Sequence, residues 1–526
     1  MDNNYKNIPI EKFQFATRND LYHDSKFETK AVSYFQGAFK RFSKNKGAVV
    51  GGAVIAVLVL FAIFAPLFTP FKPAYYDMVY AYVTPKLNFF ADRGIEFWDG
   101  CKMKSTNKVG YLKDLALATE TGRDVIKNGE VEISEDGSVY TYRYDTYYGV
   151  GFGKYKTISI EEFKDIQEYQ NRTGRQVLYP VVKSSDRPTL EKNKYDANIY
   201  YKVENAKASV VRPKLDKEGN IVPNYWKYEA GKASATIPEY NSLRIEGENG
   251  FEEKGKQYFY AYGRKVDGGV EVRAEYYEYY IYRHNEVLKD GITEPTFLFG
   301  TTDTGKDIFA CLAYGARFSF MFASIVVVVN FIMGVIWGSI SGYFGGRIDL
   351  LMERITDILG RVPTMIVITL LKFHMGSTSQ MLVLFIAFFA TGWIGMASLT
   401  RMQFYRFKNQ EYVLAARTLG ARDSRIMFNH IFPNGLGTIV TSVALAIPSM
   451  IYSETNLSYL GIINLEAGNV TSVGTLIAAG QKSIMANAGH VALFPCVFLI
   501  LLMLSFNLFG NGLRDAFNPS LRGTED

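Results

Sequence analysis

The chain has 526 residues, of which 48% are hydrophobic and 21% charged, with a net charge of +6 and a mean hydropathy of −0.02. Such averages exclude a collagen, a disulfide-dense secreted scaffold and an acidic disordered tail. They do not exclude a membrane protein, because an average conceals how apolar and polar residues are segregated along the chain.

Residues 1–47 are polar and end in the basic cluster Lys40, Arg41, Lys44 and Lys46. Phe35, Ala38, Phe39 and Phe42 recur at helical spacing, which predicts a short amphipathic helix at a membrane surface. Gly47 to Phe71 then carries no charged residue and predicts a first span near 48–69. The polar segment before it is far longer than the short basic start of a cleaved signal peptide, so the run reads as an uncleaved signal anchor.

Residues 70–296 differ in kind. They hold 27 of the 36 tyrosines and nearly equal numbers of basic and acidic side chains, 34 against 35. Strand-like alternation in Val139–Tyr148 and Tyr276–Tyr282, broken by Gly, Pro and Asn, predicts a folded β-rich (α+β) insert. Ser159 and Glu162 stand at capping-box spacing and open a predicted helix that ends near Gly174.

Residues 297–510 are mostly membrane, with spans expected near 315–341, 356–373, 381–401, 435–455 and 489–510, followed by a tail, 511–526. The third of these is the weakest, since Asp357 and Arg361 lie at its start. Six spans place both termini on one side. Of the 24 lysines and arginines outside the insert, 20 fall in the N-terminal segment, the 342–361 and 401–434 regions and the tail. Positive residues concentrate on the cytoplasmic face. Both termini are therefore expected in the cytoplasm and residues 70–296 outside it. Ionisable residues are sparse within the spans, which disfavours a proton-coupled carrier.

The loop 403–434 carries the most information. Glu411 to Leu419 is a strong helix-forming stretch with Ala415 and Ala416 side by side, Arg417 follows, and Gly420 fits a helix stop. A second short helix follows, and Pro433 begins the next span. A compact helix–Gly–helix with small residues suits docking into a partner's groove; a plain basic connector is the other reading of the same residues.

The segment resembles the EAA loop of ABC importer permeases, with Ala415, Ala416, Gly420, Phe432 and Pro433 at the pattern's positions, Glu411 upstream and Leu414 where Glu is usual. Further stretches resemble the C-type permease of oligopeptide and dipeptide importers (OppC/DppC). They are Phe299–Asp307, Tyr314–Arg317, Gly342–Gly346, Thr391–Trp393, Asn456–Gly461 and Phe506–Asp515, with Lys306 in place of Arg. The resemblance covers 1–73 and 296–520 and leaves the insert unmatched. It implies a six-helix type I ABC importer permease fold interrupted between helices 1 and 2. It also implies pairing with a homologous B-type permease, two ABC ATPase subunits docked on Glu411–Gly420 as a coupling helix, and an extracytoplasmic peptide-binding lipoprotein. Transport of peptides is the implied function. Nickel or another small solute is the alternative, and a membrane-anchored receptor or adhesin built around the insert is a more remote one.

Other candidates carry less. Gly250–Gln257 and Gly300–Asp307 have P-loop spacing of Gly and Lys but lack the Ser or Thr that holds Mg²⁺, so ATP hydrolysis is expected from partners and no cofactor from this chain. Glu454, near the outer end of the fifth span, is either a pathway residue that meets a peptide amine or a hydrogen-bonded helix end. Arg317 and Arg401 read as interface anchors. His374 and His490 are isolated, Cys101, Cys311 and Cys496 match no metal spacing, and no nucleophile–base arrangement is evident. The positive charge follows topology and does not point to nucleic acid. The tyrosines of the insert suit a recognition surface, a lid over substrate, or a sheet core equally well.

Overall fold

The computed structural model describes residues 34–150, 155–181, 201–203, 211–213, 216–218, 225, 227–231, 250–375, 380–465 and 470–517. Among them, five helices are long and apolar enough to cross a bilayer: Lys46–Phe68, Ile308–Phe344, Gln380–Phe407, Asp423–Tyr459 and His490–Phe517. A β-rich insert separates the first from the second, as expected. The region expected to span at 356–373 is divided differently. Helix Gly346–Gly360 ends there, and a separate 11-residue apolar helix, Thr364–His374, follows. Pro363 accounts for the break, because it lacks an N–H and disfavours helical backbone in the residue before it. The second piece rises only about 16 Å.

The amphipathic segment forms helix Tyr34–Lys44. It leans on the end of the last helix, where Phe42 meets Phe509 edge-on at 5.2 Å and Arg41 Nε donates to the Ala516 carbonyl at 3.1 Å. Within the membrane part, the second spanning helix presents Gly334, Gly338 and Gly342 at four-residue spacing to helix Ile394–Phe407. A Cβ on these glycines would lie 2.6 Å from Met396 Cβ, 2.3 Å from the Ala397 carbonyl and 2.7 Å from Phe404 Cβ, respectively. Small residues at this spacing let two helices approach closely where lipid offers no hydrophobic drive for association.

In the insert, Cys101–Thr106, Tyr140–Asp145 and Ile126–Ile133 form one antiparallel sheet, with Tyr140–Asp145 central. A second sheet has Gly269–Ala274 between Gly263–Val266 and Tyr155–Ile158, with Leu178–Tyr179 pairing to its end. Helix Ile160–Thr173 starts where Ser159 accepts from the Glu162 N–H at 3.0 Å and stops at Gly174, whose φ is +71°. Both helix ends follow the sequence expectation.

Tyr276–Tyr282, expected as a strand, is a helix. Alternation is no guide here because consecutive side chains from Tyr277 to Tyr282 are all buried, so no in–out periodicity exists to read. The helix stands between two cores. Tyr279 and Tyr282 pack on the second sheet with Val270, Val272 and Ile166. Tyr277, Tyr280 and Ile281 pack with Tyr80, Phe297 and Ala310, the last in the first turn of the second span. These tyrosines are core material, the packing alternative weighed above.

The two connections between insert and membrane are bound to each other. Tyr82 N donates to the Thr302 carbonyl at 3.0 Å, Thr301 N to Val83 at 3.1 Å and Lys86 N to Phe297 at 3.0 Å. Gly300 and Gly305 have φ of +76° and +75°, and a Cβ on them would strike the Val83 and Asp77 carbonyls at 2.4 and 1.8 Å. The glycines of this P-loop-like run therefore serve a close backbone crossing. Those of the other run belong to the hairpin Phe251–Glu253 and Lys256–Tyr260.

Candidate functional site

Helix Glu411–Thr418 forms where the helix-forming residues predicted it, and Gly420 takes a φ of +77°, which only Gly adopts without strain. Its inner face is fastened. Val413 is buried with Tyr343, Phe404, Ile426 and Ile431, and Ala416 packs on the same cluster. Its outer face is open: Glu411, Ala415, Arg417 and Gly420 are exposed, Tyr412 and Leu414 are exposed apolar side chains, and Leu419 is 87% exposed. Pro433 lies in the first turn of helix Phe432–Tyr459. The exposed face thus combines the apolar Tyr412, Leu414, Ala415 and Leu419 with the charged Glu411 and Arg417.

The loop is tied to the second spanning helix by polar contacts that the sequence reading had not picked out. The Tyr343 hydroxyl donates to Asp423 Oδ1 at 2.5 Å, and Arg417 Nη2 donates to that hydroxyl at 3.5 Å. Lys408 Nζ donates to the Gly342 carbonyl at 3.0 Å. Beside them, Arg401 grips Asp349 with two nitrogens, and the Ser341 and Tyr405 hydroxyls donate to the same carboxylate. The Arg401 guanidinium is the main reason the Asp349 carboxyl is held well below the usual carboxylate range. Arg401 is thus more than an interface anchor. The available sequence signal was the small-residue spacing Gly334, Gly338, Gly342, which marks the helix face on which these groups meet.

Glu454 is at the other end of the same helix as Pro433, about 30 Å along its axis at 1.5 Å per residue. It is fully buried. Its carboxyl accepts from the hydroxyls of Ser472 at 2.7 Å, Ser458 at 2.9 Å and Ser319 at 3.4 Å. Ser472 also caps helix Val473–Ile484 by accepting from the Thr475 N–H. Glu454 therefore joins the second spanning helix, its own helix Phe432–Tyr459 and the short helix Val473–Ile484. The structure does not bring it near Glu411–Gly420. Among the described residues there is no group of three or more His, Cys, Asp or Glu that could hold a metal ion, and all three cysteines are free thiols.

The family profile of the binding-protein-dependent transport system inner membrane component matches residues 334–523, and that of the N-terminal TM domain of oligopeptide transport permease C matches residues 33–85. The oligopeptide transport system permease protein OppC of Bacillus subtilis (strain 168) is 43% identical over 224 residues, spanning 43% of this chain and 72% of that protein. The dipeptide transport system permease protein DppC of the same organism is 38% identical over 244 residues, 45% of this chain and 75% of that protein. OppC of Escherichia coli (strain K12) is 37% identical over 224 residues, 43% and 72% of the two chains. A solved MetNI methionine ABC transporter, in inward-facing conformation, aligns with 40% of this chain and 96% of its own at 13% identity and a TM-score of 0.31, too low to bear on the fold. Most of the insert lies between the two matched segments. The chain belongs to the OppC/DppC-type branch of binding-protein-dependent transport permeases, multi-pass ABC transporter membrane components that have no catalytic site of their own.

Proposed function

We propose that this protein is a permease subunit of an importer of oligopeptides or dipeptides. In this reading it lines the pathway with a homologous B-type permease, is driven by two ABC ATPases on its cytoplasmic face, and receives cargo from an extracytoplasmic peptide-binding lipoprotein. Both termini lie in the cytoplasm and residues 70–296 lie outside. The observation that carries the reading is the helix Glu411–Thr418, open on one face and fastened through Val413, Tyr343 and Asp423 to the second spanning helix on the other. ATP-driven closure of the ATPases would displace this helix and bias the spans between inward- and outward-open states. That requires ATP and cargo to bind the two states with different affinities. Glu454 sets the geometry of the outer end of the pathway by holding Ser319, Ser458 and Ser472 together.

Leu419→Asp and Ala415→Trp alter only exposed positions and should leave a folded, inserted protein. Each should abolish co-purification of the ATPases and uptake of labelled peptide. Normal ATPase binding and uptake by both variants would overturn the assignment of the docking face. Uptake of Ni²⁺ with none of peptide would overturn the cargo while leaving the docking face intact.

A further inference from the structure

Beyond transport, the insert carries a loop, residues 88–98, whose exposed side chains include Phe89, Ile95 and Phe97. An added Cβ on Gly512 of the last helix would fall 2.1 Å from Ala48 Cβ, so the start of the first spanning helix lies against residue 512. The charge-free runs of both helices end there, at Lys46 and Arg514. Counting about 20 residues back, enough for the ~30 Å hydrocarbon core, places the opposite edge near residue 492. Phe494 is therefore at that edge, beside the exposed Leu493 and Val497.

From Phe494 an unbroken series of rings leads into the insert. Trp98 stacks on Phe494 and on Phe299, each at 6.1 Å. Phe97 follows Trp98 at 4.7 Å, Phe90 follows Phe97 at 6.1 Å, and Phe89 follows Phe90 at 5.5 Å. The far end of the series is open: Phe97 is 62% and Phe89 55% exposed, and Ile95 is exposed between them. Trp98 holds a left-handed backbone, φ +55°, which a Trp adopts only at a cost, and its carbonyl is fixed by the Leu87 N–H at 2.8 Å. The Arg93 guanidinium lies 3.9 Å over the Phe89 ring. The nearby Glu96 is drawn toward the sheet by Arg143 at 2.8 Å.

We propose that the loop 88–98 is an interfacial anchor, with Phe89, Ile95 and Phe97 in the outer edge of the lipid bilayer, Trp98 at the boundary and Arg93 among the phosphates. Three observations select lipid as the occupant. The patch is continuous through Trp98 with Phe494 of the last helix, that junction lies at the hydrocarbon edge counted along the helix, and the patch combines Trp, Phe and Arg, the residue types that settle at that level. It gives the insert a second hold on the membrane besides its two chain connections.

The test uses the full chain in nanodiscs whose lipids carry bromine at a chosen acyl depth. The emission of Trp98 is obtained as the difference between the wild type and Trp98→Phe. Bromine near the headgroup end of the chain should remove most of that emission, bromine near the methyl end less, and aqueous iodide little. The pattern should persist when the partner permease and ATPases are added. Phe89→Ser with Phe97→Ser, at exposed positions, should let iodide reach Trp98 and abolish the bromine effect. Emission quenched by iodide and untouched by brominated lipid overturns the proposal. So does bromine quenching that vanishes on adding the partner permease, which would mark the patch as a protein interface, and so does quenching unchanged by the double variant.

Discussion

Arg401 and Asp349 form a two-pronged ion pair, Nε to Oδ1 at 2.6 Å and Nη2 to Oδ2 at 2.7 Å, that joins helix Ile394–Phe407 to helix Gly346–Gly360. Asp349 is buried and accepts from two further hydroxyls, whereas Arg401 also reaches Glu353 at 2.7 Å and is part exposed. Asp349→Asn removes the charge that holds the guanidinium and leaves part of its hydrogen bonding. Its expected cost is about 1–3 kcal/mol, at the low end because Arg401 is partly solvated. Thermal unfolding in detergent measures it, and an unchanged Tm for both Asp349→Asn and Arg401→Gln would show the pair to be incidental. The Asp349 carboxyl is depressed in the folded state, so this stabilisation is present above the ordinary Asp range and fades as pH falls below it.

Gly338→Ala is expected to cost about 1–3 kcal/mol, because its Cβ would be forced against the Ala397 carbonyl and the two helices would have to part. Gly395→Ala, on the opposing helix and with nothing within 4 Å of the added Cβ, should be neutral or stabilise by roughly 0.5–1 kcal/mol through reduced chain entropy. The contrast in Tm between these two identical substitutions tests close helix contact, not glycine content.

Tyr343→Phe removes the hydroxyl shared by Asp423 and Arg417 while keeping the ring that packs on Phe404 and Val413. The expected loss of stability is small, about 1 kcal/mol. A larger effect is expected on coupling: ATP hydrolysis by the assembled transporter continues while uptake per ATP falls. Measurement of both rates in proteoliposomes decides it, and a proportional fall in the two would mean that the contact is not part of the coupling route.

Glu454→Ala strands three seryl hydroxyls in the interior and should cost about 1–3 kcal/mol, whereas Glu454→Gln retains an acceptor and should cost less. A Gln variant of normal stability with a raised KM for peptide alone would instead favour direct contact with the cargo amine.

The insert should lose stability between about pH 4.5 and 7. Burial pushes the Glu275 carboxyl up to about 7 from the ordinary 4.5, against the opposing pull of Arg123 at 2.9 Å. Glu120 and Asp145 are pushed up by burial as well. The folded state then holds protons that the unfolded chain has already released, so stability declines as pH rises through this window and levels off above it. Urea unfolding of the full chain, followed by hydrogen exchange in residues 270–282, should show that slope, and Glu275→Gln should flatten it.

The membrane class, the insert, the likeness to importer permeases and the helix Glu411–Thr418 with its Gly420 stop were legible in the sequence because they rest on local quantities. Charge-free runs, lysine and arginine bias, a Ser cap and a Gly stop act over one helix or one turn. The Tyr276–Tyr282 helix was not legible, since burial on all sides erases the periodicity that distinguishes helix from strand. Nor was the division of 356–373 at Pro363, where a single missing N–H outweighs apolar composition. Apart from Ser458, one helical turn from Glu454, the partners of Asp349, Tyr343 and Glu454 lie between 8 and 135 residues away along the chain. Only the tertiary structure could bring them together, because a hydrogen bond or ion pair depends on distances in space. The aromatic series from Phe494 to Phe89 belongs to the same class: its residues come from the insert, from its exit at Phe299 and from the last helix, and only folding places them in one line.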